Sequence, residues 1–324
     1  MSESTKTHRE PTGNQAGTGR LIGFFFVVLA TICWSTSGIF INFISSGSQL
    51  TPVGLAFWRD LATFAVLAGA LAAFKPTLLK IKRADIPWLA AMGALSIASF
   101  HVLWNTSVLM NGVSISTVIQ CNAPVFVTLM AWIIWGEPLS PVKILAILLA
   151  FIGIVLISRL DQLSGMEITL LGLVIALGSA ILYGSFSLFG KKLAGSYSTW
   201  TILTYVFGFA ALALAPFQFF QPNPLPANQL AMGSFIGLVL LTTVLGFGLY
   251  TNGLRRLQAS VASITSNSEV AFAAILSYLL LGERLDGWQI LGALLVVGGV
   301  SLLSLPGLRA RRQRKREAKL TAGS

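Results

Sequence analysis

Three residues that carry charge in water stand inside long apolar runs: Arg59, Asp60 and Glu269. At a helix centre in hydrocarbon each costs about 2.5–3.5 kcal/mol on insertion scales, so each must face protein or water. Glu269 lies midway along the run 259–281, with Ser266 three residues before it and Ala273 four after, on one stripe of a helix. A carboxylate there is either a substrate or proton site, or a structural ion pair or buried hydrogen-bond donor. Arg59 can grip a carboxylate with two parallel N–H bonds. It can equally be neutralised by Asp60, although i,i+1 neighbours do not face each other on a helix.

Other polar residues share helical faces. His101, Trp104 and Asn105 follow i, i+3, i+4 spacing. His101 can protonate or hydrogen-bond a ligand, or be satisfied in packing. Ser35, Gly38 and Asn42 align on the first apolar run, where small residues also permit close helix packing. Thr117, Gln120, Pro124 and Thr128 align on the fourth. Pro124 removes a backbone bond, which exposes a carbonyl to a ligand or kinks the helix for packing. Ser179, Tyr183, Ser187 and Lys191 form an i, i+4 stripe, and Thr201, Tyr205 and Gly208 a similar one. Trp34, Trp104, Tyr183 and Tyr205 lie deep in their runs rather than at the interfacial belts. Deep rings either wall a pocket and stack on a flat ligand or fill helix packing. No GxxxxGK[ST], HExxH, metal-ligand cluster or spaced Ser/His/Asp set is present. The expectation is therefore no cofactor, no metal and no enzyme activity. Cys33 and Cys121 fall inside apolar runs, with no disulfide expected.

The elements that hold these residues follow from composition. Of 324 residues 55% are hydrophobic and 10% charged, with mean hydropathy +0.78. A soluble globule averages about 25% charged residues. So few charges cannot cover a water-exposed surface. Soluble enzymes, nucleic-acid binders and disordered chains are excluded in favour of a polytopic membrane protein. Runs long enough to cross ~30 Å of hydrocarbon predict ten helices, at 21–44, 52–74, 86–108, 113–135, 141–158, 169–190, 197–217, 229–251, 259–281 and 286–305.

The net charge of +11 sits in short clusters between these runs rather than on a nucleic-acid-binding face. With the N-terminus in the cytoplasm, inner segments hold Lys6, Arg9, Arg20, Lys75, Lys80, Lys82, Arg83, Lys143, Lys191, Lys192, Arg255, Arg256 and the basic tail from Arg309 to Lys319. Outer segments hold only Arg159 and Arg284, which predicts both termini in the cytoplasm. The tail either binds anionic lipid or simply anchors topology. No cleaved signal peptide is read at the N-terminus.

The chain also repeats itself. WGEPLSPVKILAILLAFIGIVLIS (135–158) aligns without a gap on LGERLDGWQILGALLVVGGVSLLS (281–304), at an offset of 146 residues. Gly136 falls on Gly282, Glu137 on Glu283, Gly153 on Gly299 and Trp104 on Tyr250. Five spans per copy is an odd number, so the second copy enters the membrane from the opposite side. Inverted repeats of this kind build many secondary transporters, with the site near the midplane between the halves.

The doubled pattern, a Gly-Glu-x-Leu followed by a glycine-punctuated span, resembles the EamA family of the drug/metabolite transporter superfamily over about 21–305. Within it the chain is most similar to YddG-type aromatic amino acid exporters. The resemblance implies an all-α polytopic protein of ten helices in two inverted five-helix repeats, 21–158 and 169–305, with cytoplasmic tails at 1–20 and 306–324. It implies export of small metabolites, amino acids and aromatic ones first, from a bacterial inner membrane by alternating access. Rival cargoes are a purine, a sugar conjugate or an organic cation, and a membrane-embedded lipid transferase is the rival class. Arg59 resembles an arginine found in the second span of many members. Glu269 matches the glutamate of a Glu-Pro pair, but Val270 replaces the proline, which leaves a kink at this point open. Expected substrate-binding residues are Trp34, Asn42, His101, Trp104, Asn105, Gln120, Tyr183, Tyr205, Ser266 and Glu269. Arg59 and Glu269 are the coupling or structural charges. Expected partners are an amino-acid-like substrate, the bilayer and protons, with no nucleic acid, and the functional unit is a monomer.

Overall fold

The structure, a computed structural model, describes residues 13–48, 50–158, 169–220, 224–225, 228–281 and 286–303. Every regular element among them is helical: α1 (Gly13–Ser35), α2 (Ser37–Gly47), α3 (Pro52–Phe74), α4 (Ile86–Gly93), α5 (Phe100–Gln120), α6 (Ala123–Trp135), α7 (Pro141–Ile157), α8 (Leu170–Leu193), α9 (Thr199–Phe220), α10 (Gln229–Gly237), α11 (Gly246–Leu254), α12 (Ala259–Ser266), α13 (Ser268–Leu281) and α14 (Gly287–Leu302). Stacked end to end, these make eight segments long and apolar enough to cross a membrane. Two further apolar helices, Pro141–Ile157 and Gly287–Leu302, are shorter. Their bundle-facing sides are buried, while Trp132, Ile133, Leu148, Leu212 and Leu294 stand exposed on the outer faces. That distribution suits an apolar solvent, where exposed leucine carries no cost.

Local sequence sets the helix ends. Thr51, Ser140 and Thr169 accept from the backbone N–H three residues on, and Pro52 and Pro141 follow two of these caps at the first helical position. Asp286 and Gln289 form a reciprocal capping box on α14. Gly136 adopts φ 63 and ends α6, while the N–H of Glu137 reaches back to Ala131 O at 3.2 Å. A left-handed glycine closing a helix in this way needs no Cβ.

The turn expected between the third and fourth runs falls inside α5. Backbone bonding stays helical from Phe100 to Gln120, yet the hydroxyls of Ser107 and Ser116 meet at 2.7 Å. Nine residues of straight helix rise about 13.5 Å, so the chain doubles back between these serines.

Five interruptions are more telling. The apolar run 21–44 breaks at Thr36, the run 113–135 at Cys121–Asn122 and the run 259–281 at Asn267. The runs 86–108 and 229–251 contain π-helical segments, Ala94–Ser99 and Leu238–Leu245. A break stands at Asn267 although Val270 is not a proline. No proline is needed there, because Thr265, Ser266 and Ser268 turn their hydroxyls back onto Val261 O, Ser263 O and Thr265 O at 2.7–2.8 Å. Such back-bonding competes with the helical ladder.

α7 packs along α14, α3 along α9, α1 along α11, and α8 along α5. The α7–α14 seam is close: a Cβ on Gly153 would stand 2.5 Å from Gly292 O, and one on Gly292 2.4 Å from Gly153 O. The main apolar core includes Phe207, Ile202, Leu203, Met92 and Leu254, and a smaller cluster gathers Ile44, Phe235, Leu238 and Val239.

Candidate functional site

A cavity lies where the interrupted segments meet. It has two lobes, of about 180 and 650 Å3. Trp34, Ser37, Trp104, Gln120, Tyr183 and Glu269 line both. The larger lobe falls within the range of small-molecule sites. The cavity reaches the end of the bundle marked by Pro52, the first residue of α3, by Ser158 after α7, and by Gln289 in the first turn of α14.

One wall of the smaller lobe is charged. Arg59 and Asp60 are sequence neighbours, yet Arg59 Nε lies 3.6 Å from Asp60 Oδ1. Asp60 is fully buried, and His101 Nδ1 stands 3.7 Å from its Oδ2. Arg59 Nη2 also donates to the His101 ring, 2.9 Å to Nδ1. The three groups thus form one cluster, with the guanidinium shared between the carboxylate and the imidazole. Removing either partner of a buried pair costs about 3–5 kcal/mol, because the other charge is stranded.

The opposite wall carries Glu269 at the start of α13, beside the break at Asn267. It has no hydrogen bond or ion pair among the described residues, and Arg59, which lines the same lobe, stands beyond ion-pair reach. Between the walls are rings. Trp34 packs 5.0 Å from Phe247 and from Tyr250, while Phe100 lies 5.2 Å from Tyr183 and 6.4 Å from Trp104. The Trp34 Nε1 donor and the Gln120 Oε1 acceptor are buried without partners.

Of the residues singled out by sequence, Trp34, Arg59, His101, Trp104, Gln120, Tyr183, Ser266 and Glu269 come together around this cavity. Tyr205 stands apart: its hydroxyl donates to Leu79 O at 2.6 Å, far from the cavity lining. The side chains of Asn42 and Asn105 lie outside the described residues. Phe100, Phe247, Thr242, Asn267 and Gln289 also line the cavity, without a sequence signal that separates them from ordinary helix residues.

The other end of the bundle is tied shut by polar contacts. Glu137 accepts from Ala259 N at 2.9 Å, from Ser260 N at 3.4 Å and from the Ser260 hydroxyl, and Lys143 Nζ lies 3.5 Å away. Lys191 donates to Leu254 O at 3.0 Å and to Leu257 O. Tyr197 donates to Asp85 Oδ2 at 2.5 Å and accepts from Lys82 N at 3.0 Å. Thr201 donates to Leu78 O at 2.8 Å, and Lys192 sits 3.0 Å over the Trp88 ring. The aspartate beside Tyr197 raises that phenol above its ordinary value, against a smaller opposite effect of the Lys82 N–H. Glu283, the counterpart of Glu137, lies outside the described residues.

The profile of the EamA-like transporter family matches residues 21–159 and 170–305. The chain is 26% identical over 300 residues to YicL of Salmonella typhimurium, an uncharacterized inner membrane transporter, covering 90% of this chain and 97% of that one. An uncharacterized transporter of Archaeoglobus fulgidus is 24% identical over 254 residues, covering 78% and 89%. A probable amino-acid metabolite efflux pump of Escherichia coli is 26% identical over 208 residues, covering 61% and 68%. A solved crystal structure superposes with TM-score 0.76 at 18% identity, over 90% of this chain and 98% of that one, a likeness of fold.

Proposed function

The chain belongs to the EamA-like transporter family, and on that premise we propose that it is a secondary exporter of small metabolites, amino acids first and aromatic ones among them. Cargo passes by alternating access through the cavity, between two inverted five-helix halves that together make ten spans.

The observation that carries this reading is the cavity itself, walled by residues of both 21–158 and 169–305 at the level of the helix breaks. The paired family matches support the duplication. So does the placement of interruptions: an offset of 146 carries Cys121 onto Asn267 and 94–99 onto 240–245, within the second π segment. Helix neighbours obey the same relation, since α7 pairs with α14 and α3 with α9. The ring-lined interior suits a flat apolar side chain. The efflux pump of Escherichia coli named above points to amino-acid metabolites.

The lysine and arginine distribution supports a cytoplasmic tied end with both termini on the same side, and the reading takes the protein as a monomer in the inner membrane. The conformation is then open outward and sealed inward. Glu269 is the first candidate if protons drive export. The test is efflux of labelled tryptophan, phenylalanine and leucine from liposomes holding the full chain, with and without a pH gradient. Flux above empty liposomes supports the reading. No flux of any amino acid, in either condition, overturns it.

A further inference from the structure

We propose that the cavity selects its ligand by a protonated amine held at Glu269, and that Arg59 is not the receptor for a ligand carboxylate. This deepens the transport reading above and rests on it for the cavity being the ligand's path.

The inference follows from where the charges are spent. Arg59 looks suited to an anion, but its charge is already matched by Asp60, which is fully buried and has no hydrogen bond to either oxygen. Drawing the guanidinium toward a ligand carboxylate leaves Asp60 uncompensated in a dry site. His101 does not relieve this, since it shares the same guanidinium and the same carboxylate. The first-half wall is therefore a closed set of charges.

Glu269 is the reverse case. It faces both lobes, and among the described residues no cation and no hydrogen-bond donor is paired with it. In the larger lobe its neighbours are neutral, Gln120, Thr117 and Ser266, with Gln289 and Ser158 at the mouth, while Arg59 and His101 in the smaller lobe are engaged with Asp60 and beyond ion-pair reach of Glu269. An ionised carboxylate in that setting lacks a counter-charge, and an incoming ammonium supplies it together with three N–H donors. The rings add to the same preference. Trp34, Trp104 and Tyr183 share the lining with Glu269, and aromatic faces attract a cation that has shed its water. The unpartnered Gln120 Oε1 offers a further acceptor. The ligand class is a primary amine attached to a flat apolar group. An aromatic amino acid belongs to it through its amino end, and its decarboxylated amine belongs equally.

The test is equilibrium dialysis of labelled tryptamine against the purified full chain, competed by tryptophan, N-acetyltryptophan and indole-3-propionate. Tryptophan is expected to compete within about threefold of tryptamine. The two probes without a free amine are expected at least tenfold weaker, a ratio equal to ~1.4 kcal/mol. Glu269→Gln is expected to weaken tryptamine at least tenfold, with Glu269→Asp recovering part of the loss and thermal unfolding reporting that both fold. The inference is overturned if an amine-blocked probe competes as well as tryptamine, if a folded Glu269→Gln binds tryptamine like the parent, or if tryptamine does not bind. The liposome assay separates the two failures. Tryptophan flux without tryptamine binding removes amine recognition and leaves transport standing. Tryptamine binding without flux of any amino acid removes the cargo reading and leaves amine recognition standing.

Discussion

The side-chain amide of Asn267 donates 3.1 Å to the carbonyl of Cys121, and the two residues are 146 positions apart in sequence. That separation is the repeat offset, so each residue occupies the other's place in the opposite half. Each also sits at a helix break, where a carbonyl has lost its helical partner. The α-helical donor to that carbonyl, the N–H of Val125, bonds Asn122 O at 2.9 Å instead. Asn267 supplies a donor that the backbone of α6 withholds, and it does so across the two halves.

Asn267→Ala removes that donor and leaves a buried carbonyl unsatisfied, a loss of about 1–3 kcal/mol. The expected result is a lower unfolding temperature in detergent and slower flux in liposomes. Asn267→Ser, too short to span the gap, is expected to behave like alanine. An unchanged unfolding temperature in both variants shows that the contact does not join the halves.

The α7–α14 seam makes a sharper comparison, because glycines on one helix differ in their surroundings. A Cβ on Gly292 meets Gly153 O at 2.4 Å, whereas one on Gly298 meets nothing within 4 Å. Gly292→Ala is expected to push the helices apart and destabilise by about 1–3 kcal/mol. Gly298→Ala is expected to be neutral or slightly stabilising, since alanine favours helix. Thermal unfolding of the two variants side by side checks this. Equal effects contradict the close approach.

How far the sequence foretells the molecule depends on the kind of signal. Hydropathy marked the eight segments long and apolar enough to cross a membrane, because burial in lipid demands long apolar runs whatever their packing, while two of the ten expected spans are shorter helices, Pro141–Ile157 and Gly287–Leu302. It also found the charged and aromatic lining: Arg59, Glu269 and Trp104 stand out against an apolar background. Phe100 and Phe247 line the same cavity but are two of 21 phenylalanines, and nothing in their spacing distinguishes wall from filler. Tyr205 looked like a wall residue by depth, and its hydroxyl instead meets Leu79 O, a partner 126 residues away that no local pattern announces. The break at Asn267 was hidden for a related reason. It comes from three hydroxyls turning back on the chain, and serine and threonine are common on helices that do not break.

Topology gives the next expectation. Tyr197 joins Asp85 and Lys82, while Thr201 joins Leu78, so residues 78–85 and 197–201 share one end of the bundle. Single cysteines at Lys80 and Lys192, both exposed, are expected to react from the cytoplasmic face with a membrane-impermeant maleimide and to be protected in intact cells. Labelling of the two from opposite faces contradicts both the contacts and the duplicated architecture.

Glu137 is where the tied end should yield. It ends the fourth span, follows the left-handed Gly136, and caps the N-terminus of α12 in the other half through Ala259 N and Ser260. A carboxylate there satisfies orphan N–H groups and complements the helix dipole. Lys143, at 3.5 Å, is itself buried and has no hydrogen bond for its Nζ. Glu137→Gln strands that ammonium, which is expected to cost about 3–5 kcal/mol. The double variant with Lys143→Met removes both charges and is expected to cost less than Glu137→Gln alone, since an apolar side chain replaces the stranded ion. Urea or thermal unfolding of the parent, both single variants and the double one completes the cycle. A second readout follows the gate directly. Ser263, one turn into α12 and buried, is expected as a cysteine to be alkylated faster from the cytoplasmic side once Glu137 is changed to Gln. Additive losses in the cycle, together with unchanged alkylation, show that Glu137 is a surface cap and not a tie between the halves.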